Sequence, residues 1–489
     1  MSTVTLIHPG AAKEIYGSLA KFSAAEPPLW CRLIGGYLRD RGHQVQIIDA
    51  EAEWLSASTV AYRVLKSRPQ LVVLVVYGHQ PSASTQQMVG ARKTAQAIKD
   101  IQPNQKIIMI GNHCSALPVK TISEEPVDYV CDGEGPITMA GLLSGQSLDS
   151  IPGLVWKDGD TIRQNSLAPL LDLDKDLHGQ VWDLLPMSSY RCHHWQAFDG
   201  TPRQPYAAIY TSLGCSFKCS FCMINVFQHG NHYRMRSPVQ VAAEIANLID
   251  QYGVTTFKVI DEMFVLNRQH VLQICNHLIN MKLGDQLNLW AYARIDTVKD
   301  QQLLQTMRRA GFKWLGIGIE SASKHVRDGV DKGRFGNEQI LQAVDRVKAS
   351  GIHVGANYIF GLPDDTAGSM QETYDLACKI NAPYSNFYCT MAYPGSPLHR
   401  IAQEKGWLLP EDTDAGWLGY SQHAYQTLPL PTETLTAVEV LAFRDEAFMK
   451  YHQRPEYLSM LQNTFGEQAV TDMKEILKHG KPKRKLLGD

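Results

Sequence analysis

The stretch Cys215-Ser216-Phe217-Lys218-Cys219-Ser220-Phe221-Cys222 decides how this chain is read. Three thiols spaced four and three residues apart on one loop suit a shared metal centre, because the thiolate is a metal ligand. A structural zinc site needs a fourth Cys or His and usually two separated ligand pairs. His229 or His232 stands close enough in sequence to supply one, so counting leaves zinc open. An iron–sulfur cubane normally takes four Cys. Three thiols leave one iron open to another ligand, and an open coordination position is the mark of a catalytic centre.

Outward from the loop, the strand-like run 207–213 precedes it and opens an α/β alternation. Further strand candidates lie at 255–260, 287–293, 313–319, 353–360 and 385–391, separated by helical stretches at 268–282, 300–310, 337–349 and 368–380. Ser237, Pro238 and Gln240 form the pattern of a capping box that starts the first helix. Six βα units predict a partial (β/α)6 barrel, with polar residues just after each strand, where barrel enzymes place their chemistry. Nearer the N-terminus, 4–7, 44–48, 71–77, 106–110 and 128–131 read as five buried strands, with amphipathic stretches such as 29–41 and 84–100 between them. The fold class is therefore α/β, beginning with a flavodoxin-like doubly wound domain that binds ligands at its strand carboxyl ends. Those ends carry His8-Pro9-Gly10, Gly78-His79-Gln80, Gly111-Asn112-His113-Cys114-Ser115 and Asp132-Gly133-Glu134-Gly135; from the loops alone, turn chemistry is the simpler reading. The chain divides into 1–145, a connector at 146–200 with a hairpin closed by Asp158-Gly159, the barrel at 201–397, and a helical C-terminal region at 398–489.

Composition excludes several classes. The 489 residues are 44% hydrophobic and 20% charged, as in a folded globular protein. Lys plus Arg is 47 against 49 Asp plus Glu, so the electrostatic footprint of a nucleic-acid binder is missing. The basic cluster 478–485 reads as a solvated tail. The longest dense apolar run, 71–77, is far short of the ~20 residues that span a bilayer, and no secretory signal is visible at the start. Seven scattered Cys (Cys31, Cys114, Cys131, Cys192, Cys275, Cys378 and Cys389) fit a thiol-keeping, cytoplasmic compartment rather than a disulfide scaffold.

With the cysteine loop, four strand-end motifs make the barrel resemble the radical S-adenosylmethionine enzymes: Ile260-Asp261-Glu262-Met263-Phe264, Ala293-Arg294-Ile295-Asp296, Gly316-Ile317-Gly318-Ile319-Glu320-Ser321, and Asn357-Tyr358-Ile359-Phe360-Gly361-Leu362-Pro363. Adding Tyr233-Arg234-Met235-Arg236-Ser237-Pro238, Tyr393-Pro394-Gly395-Ser396-Pro397 and the loops at 111–118 and 132–135, the chain is similar to the cobalamin-binding group of that family. This group contains radical C-methylases and the anaerobic magnesium-protoporphyrin cyclase. The match covers about residues 1–397.

The resemblance implies three cofactors: a [4Fe-4S] cluster, S-adenosylmethionine and cobalamin. Cys215, Cys219 and Cys222 would hold three irons. Asp261 or Glu262 would hold the methionine ammonium, or else be a strand-end turn residue. Arg294 would reach the methionine carboxylate or merely pair with Asp296. Glu320 would contact ribose hydroxyls; an acid closing an apolar strand is costly without a partner. Tyr358, Ile359 and Gly361 match the adenine-contacting strand, although their apolar character also suits a core. Tyr77, His79, Gly111, His113, Ser115, Gly133 and Glu134 would surround cobalamin. The group's D-x-H-x-x-G pattern is absent, since Asp176-Leu177-His178-Gly179 has Val181 at the final position, so no His from that motif would ligate the cobalt. His193, His194, Trp195 and Phe198 would line a substrate pocket or pack a connector, and Cys389 is more simply a core residue than one near a substrate.

The activity so implied is reductive cleavage of S-adenosylmethionine to a 5′-deoxyadenosyl radical, followed by modification of an unactivated carbon, with methyl transfer from methylcobalamin as the most economical outcome. Oxidative cyclisation or rearrangement without net methylation is the rival within the family. A non-catalytic cobalamin- or zinc-binding interaction protein is the rival outside it. The implied partners are a small-molecule or natural-product substrate and an electron donor such as flavodoxin or ferredoxin, with neither nucleic acid nor membrane.

Overall fold

The protein is described by a computed structural model covering residues 2–78, 82–479 and 482–489. His79, one of the expected cobalamin neighbours, lies outside the described residues.

Five strands rich in Val and Ile form a parallel sheet: β1 (Thr3–His8), β2 (Gln44–Asp49), β3 (Leu71–Val75), β4 (Ile107–Ile110) and β5 (Tyr129–Cys131). Their order, β2-β1-β3-β4-β5, is that of a flavodoxin-like domain. Helices cover both faces, and the central strand β3 is buried along its whole length. The hairpin expected in the connector is present as β6 (Leu154–Asp158) and β7 (Thr161–Gln164). It adds to β5 in antiparallel fashion, so the first sheet runs past residue 145 and has seven strands.

The second sheet joins β8 (Tyr206–Ile209), β11 (Thr256–Val259), β12 (Asn288–Arg294), β13 (Phe312–Glu320), β14 (His353–Phe360) and β15 (Tyr384–Cys389) in sequential parallel order. Because β15 and β8 do not pair, the barrel is open. A two-stranded ribbon, β9 (Ser212–Leu213) with β10 (Arg234–Met235), brackets the cysteine loop. The helix Pro238–Tyr252 starts with Pro in its first turn as expected, but the Ser237 side chain makes no cap. Its backbone N–H donates to the Asp174 carboxylate at 2.9 Å instead, a partner that lies too far away in sequence to be anticipated.

Within residues 193–198, Trp195 and Phe198 are buried and pack. Trp195 stacks on Tyr384 at 4.9 Å and meets Trp290 and Trp314 edge-on, closing the amino-terminal end of the barrel. Phe198 packs on Phe465. Cys389 is buried in the core shared with Val440 and Leu441.

The C-terminal region is helical, as expected, and spans both halves. Trp417 packs on His113 of the first domain at 4.4 Å, while Arg444 donates to the carbonyl of Phe387 on β15. The basic run 478–485 is not a plain solvated tail. Arg484 is completely buried and donates to both carboxylate oxygens of Asp445. Among the described residues no helix is long and apolar enough to cross a membrane.

Candidate active site between the two sheets

A cavity lies where the carboxyl ends of the first sheet face the mouth of the barrel. His8 at the end of β1 and Val75, Tyr77 and Gly78 at the end of β3 form one wall. The strand order reverses between these two strands, the topological switch point where doubly wound sheets bind ligands. Ser212, Leu213, Phe227, Ile260 and Glu262 of the barrel form the opposite wall.

The first-domain wall is aromatic and polar. Tyr77 stacks on Trp30 at 4.7 Å, and Phe227 approaches both edge-on. Asn112 also lines the cavity. It is fully buried and neither amide atom has a hydrogen-bond partner among the described residues, an arrangement that costs about 1–3 kcal/mol unless a ligand satisfies it. Gly111 is needed sterically, because a Cβ there would overlap the Val76 carbonyl oxygen. Ser115 accepts the Gly133 N–H at 3.0 Å and so ties the two loops together. The Glu134 carboxylate pairs with Arg234 of the barrel, and burial raises its pKa despite that partner. His113 does not line the cavity. It is buried against Trp417 with Nδ1 3.4 Å from Thr85 Oγ1, and desolvation lowers its pKa to about 3. His178, of the near-miss motif, bonds Asp40 at 2.6 Å, also away from the cavity.

On the barrel side the strand-end acids divide their work. Asp261 is consumed internally: the N–H and O–H of Thr211 and the O–H of Ser212 all donate to it at 2.6 Å. This pins the segment that leads into the cysteine loop. Glu262 accepts the Gly214 N–H at 3.1 Å and reaches the cavity, where burial pushes its pKa up to about 7. Arg294 makes the expected pair with Asp296. It forms a bidentate pair with Asp296 at 2.9 and 3.0 Å, stacks on Phe217 at 3.6 Å, and points Nη1 at Cys219 Sγ from 3.6 Å. Glu320 has the partner its burial demands, Lys332 at 2.5 Å, and it adopts a left-handed backbone with φ 66°. That conformation is uncommon for a non-glycine residue, and strained backbone of this kind recurs at active sites. Tyr358 is fully buried and stacks on Phe387 in the helix-facing layer, whereas Ile359 on the opposite face is partly accessible. Gly361 has φ 76°, and its N–H donates to Asp365.

The three thiols are electrostatically linked. Burial raises the Cys215 thiol, with a smaller contribution from Cys219, and burial pushes the Cys222 thiol up to about 12, with smaller contributions from Cys219 and Cys215. Ionising it therefore requires a compensating cation. Among the described residues no group of three His, Cys, Asp or Glu is gathered closely enough to hold a metal ion; a cubane spreads its thiolates over separate irons. His229, a possible fourth zinc ligand, is engaged by Asp132 at 2.6 Å. Sequence reading missed Asn112, Trp30, Phe227 and Lys332. Only Asn112 had a local signal, a polar side chain at a buried strand's carboxyl end.

A thiol loop opening a six-stranded parallel barrel defines a radical S-adenosylmethionine enzyme, and residues 209–377 match the Radical SAM superfamily model. Residues 17–143 match the B12 binding domain. The chain belongs to the cobalamin-binding radical S-adenosylmethionine enzymes, whose cofactors are a [4Fe-4S] cluster, S-adenosylmethionine and cobalamin. It is 28% identical to an uncharacterized methyltransferase of Pyrococcus horikoshii, over 88% of this chain and 89% of that protein. It is 24% identical to the anaerobic magnesium-protoporphyrin IX monomethyl ester cyclase of Cereibacter sphaeroides, over 90% of this chain and 68% of the relative. In fold it resembles the radical S-adenosylmethionine methyltransferase TsrM of Kitasatospora setae, solved with cobalamin and a [4Fe-4S] cluster bound (TM-score 0.69, 18% identity, 98% and 99% of the two chains covered).

Proposed function

We propose that the protein is a C-methyltransferase acting on an unactivated carbon of a small molecule. The observation that carries this reading is the shared cavity: the ligand crevice of the first sheet opens directly onto the barrel mouth that holds the thiol loop and Glu262. When bound, the cluster with S-adenosylmethionine supplies hydrogen-atom abstraction, and cobalamin supplies the methyl group. Cys215, Cys219 and Cys222 hold the cluster. Glu262, the strand-end acid left available, takes the methionine ammonium, and a charge-assisted pair is the stronger kind of hydrogen bond. Arg294 lies beside Cys219, and the Nη1 hydrogen not pointed at that sulfur takes the methionine carboxylate. Glu320, oriented by Lys332, takes the ribose hydroxyls, and the edge from Ile359 to Gly361 takes the adenine. Tyr77, Gly111, Ser115, Gly133 and Asn112 form the corrin-facing floor. An external donor of the flavodoxin or ferredoxin type supplies electrons.

Relatives with methyltransferase names are in line with methyl transfer, including the cytidylyl-2-hydroxyethylphosphonate methyltransferase of Streptomyces wedmorensis (24% identical over 64% of each chain). The test needs no substrate. The reconstituted protein, reduced anaerobically with methyl-labelled S-adenosylmethionine, should transfer label to the extracted corrin by mass spectrometry. Cleavage of S-adenosylmethionine without corrin labelling would instead support cyclisation or rearrangement.

A further inference from the structure

Two acids of the loop after β5 reach out of their own domain. Asp132 accepts a hydrogen bond from His229 Nε2 at 2.6 Å, and Glu134 pairs with the Arg234 guanidinium. Both acids are buried, 3% and 6% exposed, and both partners stand on the outer part of the cluster loop, beyond Cys222. Two residues before His229, Phe227 packs against Trp30 and Tyr77 at 5.2 and 5.8 Å and forms part of the cavity wall. The acidic loop is itself braced, since Gly133 donates to Ser115, Tyr77 donates to the Gly133 carbonyl at 3.5 Å, and Gln164 donates to Asp132 at 3.1 Å. The outer cluster loop is thus held from the first domain by two buried carboxylates and one aromatic contact, while the short β9–β10 ribbon ties its end to the barrel.

We propose that Asp132 and Glu134 are positioning residues that moor the outer cluster loop, residues 223–236, to the wall of the corrin cavity, so that cobalamin binding and ordering of this loop are coupled. The inference rests on the two-cofactor reading above. A ligand that fills the cavity contacts Phe227 and Tyr77 together and favours the moored arrangement. Linkage is reciprocal, so an ordered loop raises cobalamin affinity by the same factor.

The test is amide hydrogen exchange on the full chain with its cluster reconstituted, before and after hydroxocobalamin, with uptake followed by the visible spectrum. In the wild type, protection of peptides within 223–236 should rise about tenfold, in the usual range of coupling between sites. In D132N/E134Q the gain should fall below about twofold while the spectrum still reports bound corrin. The charge-swapped chain E134R/R234E should recover most of the gain, an outcome that general structural damage does not produce. An unchanged loop in corrin-loaded wild type, or a full gain in D132N/E134Q, would overturn the proposal. If D132N/E134Q loses its fold by circular dichroism, the charge-swapped chain decides: recovery upholds the mooring and a flat response refutes it. A wild type that takes up no cobalamin would overturn the two-cofactor reading together with this inference.

Discussion

At the residue scale, each barrel side chain with a chemical role is also someone's neighbour, and that neighbour makes it testable. Cys219 is only partly buried and lies beside Arg294, and it is not among the residues that line the corrin cavity. Cys219→Ala should therefore reduce 5′-deoxyadenosine formation to background while cobalamin uptake, read in the visible spectrum, persists. Unaltered cleavage would dismiss the cluster assignment. Gly318 lies under the Glu320–Lys332 pair, and a Cβ there would come within 2.5 Å of Glu320 Oε1 and 2.7 Å of Lys332 Nζ. Both are ends of flexible side chains, so Gly318→Ala should fold but push the pair out of place. The expected result is about tenfold weaker S-adenosylmethionine binding by equilibrium dialysis, about 1.4 kcal/mol, and unchanged affinity would detach Glu320 from the ribose.

At the scale of elements, the cluster loop carries a pH dependence of its own. The hydrogen bond to Asp132 raises the His229 pKa above its usual 6.5, outweighing desolvation. A raised histidine stabilises fully below about 6.5 and loses its contribution as pH rises through the folded value. The thermal stability advantage of wild type over His229→Gln should therefore shrink between about pH 6 and pH 8.5; an advantage that grows with pH would contradict the assigned pair. Much of the element order was legible beforehand. Val- and Ile-rich runs marked β1 to β5, and the polar residues after β11 to β14 marked the barrel mouth, because both signals are local. Partners distant in sequence were not legible. Glu26 meets Lys258 at 2.9 Å across 232 positions, Asp174 takes the Ser237 N–H, and β6 joins β5 instead of standing apart. No periodicity encodes such pairings. Asp261 and Glu262 had equal claims on paper, and only the three hydrogen bonds converging on Asp261 separated them.

At the scale of the whole molecule, the two domains are clamped by buried charge. Glu244 of the barrel receives Arg32 of the first domain at 3.2 Å, Arg236 at 2.6 Å and the Trp182 indole N–H at 3.0 Å. Arg32 also lies on the Trp182 ring at 3.6 Å. Glu244→Ala leaves two buried guanidiniums uncompensated and should cost about 3–5 kcal/mol in urea unfolding; a loss under about 1 kcal/mol would mean that the clamp is dispensable. Acid should weaken the assembly for a separate reason. Burial lowers His113 and His423 to about 3 and His452 to about 4, so the unfolded chain binds their protons first. Stability should fall below about pH 6.5 by up to about 1.4 kcal/mol per pH unit for each, and a flat profile from pH 6.5 to 5 would refute the neutral, buried state of all three.

The tryptophan stopper at the amino-terminal end of the barrel has a consequence for traffic. With Trp195 seated against Trp290, Trp314 and Tyr384, four rings fill that end of the barrel, while the cavity lies at the other end, against the first domain. A substrate is therefore expected to arrive, and its product to leave, on the side of the first domain.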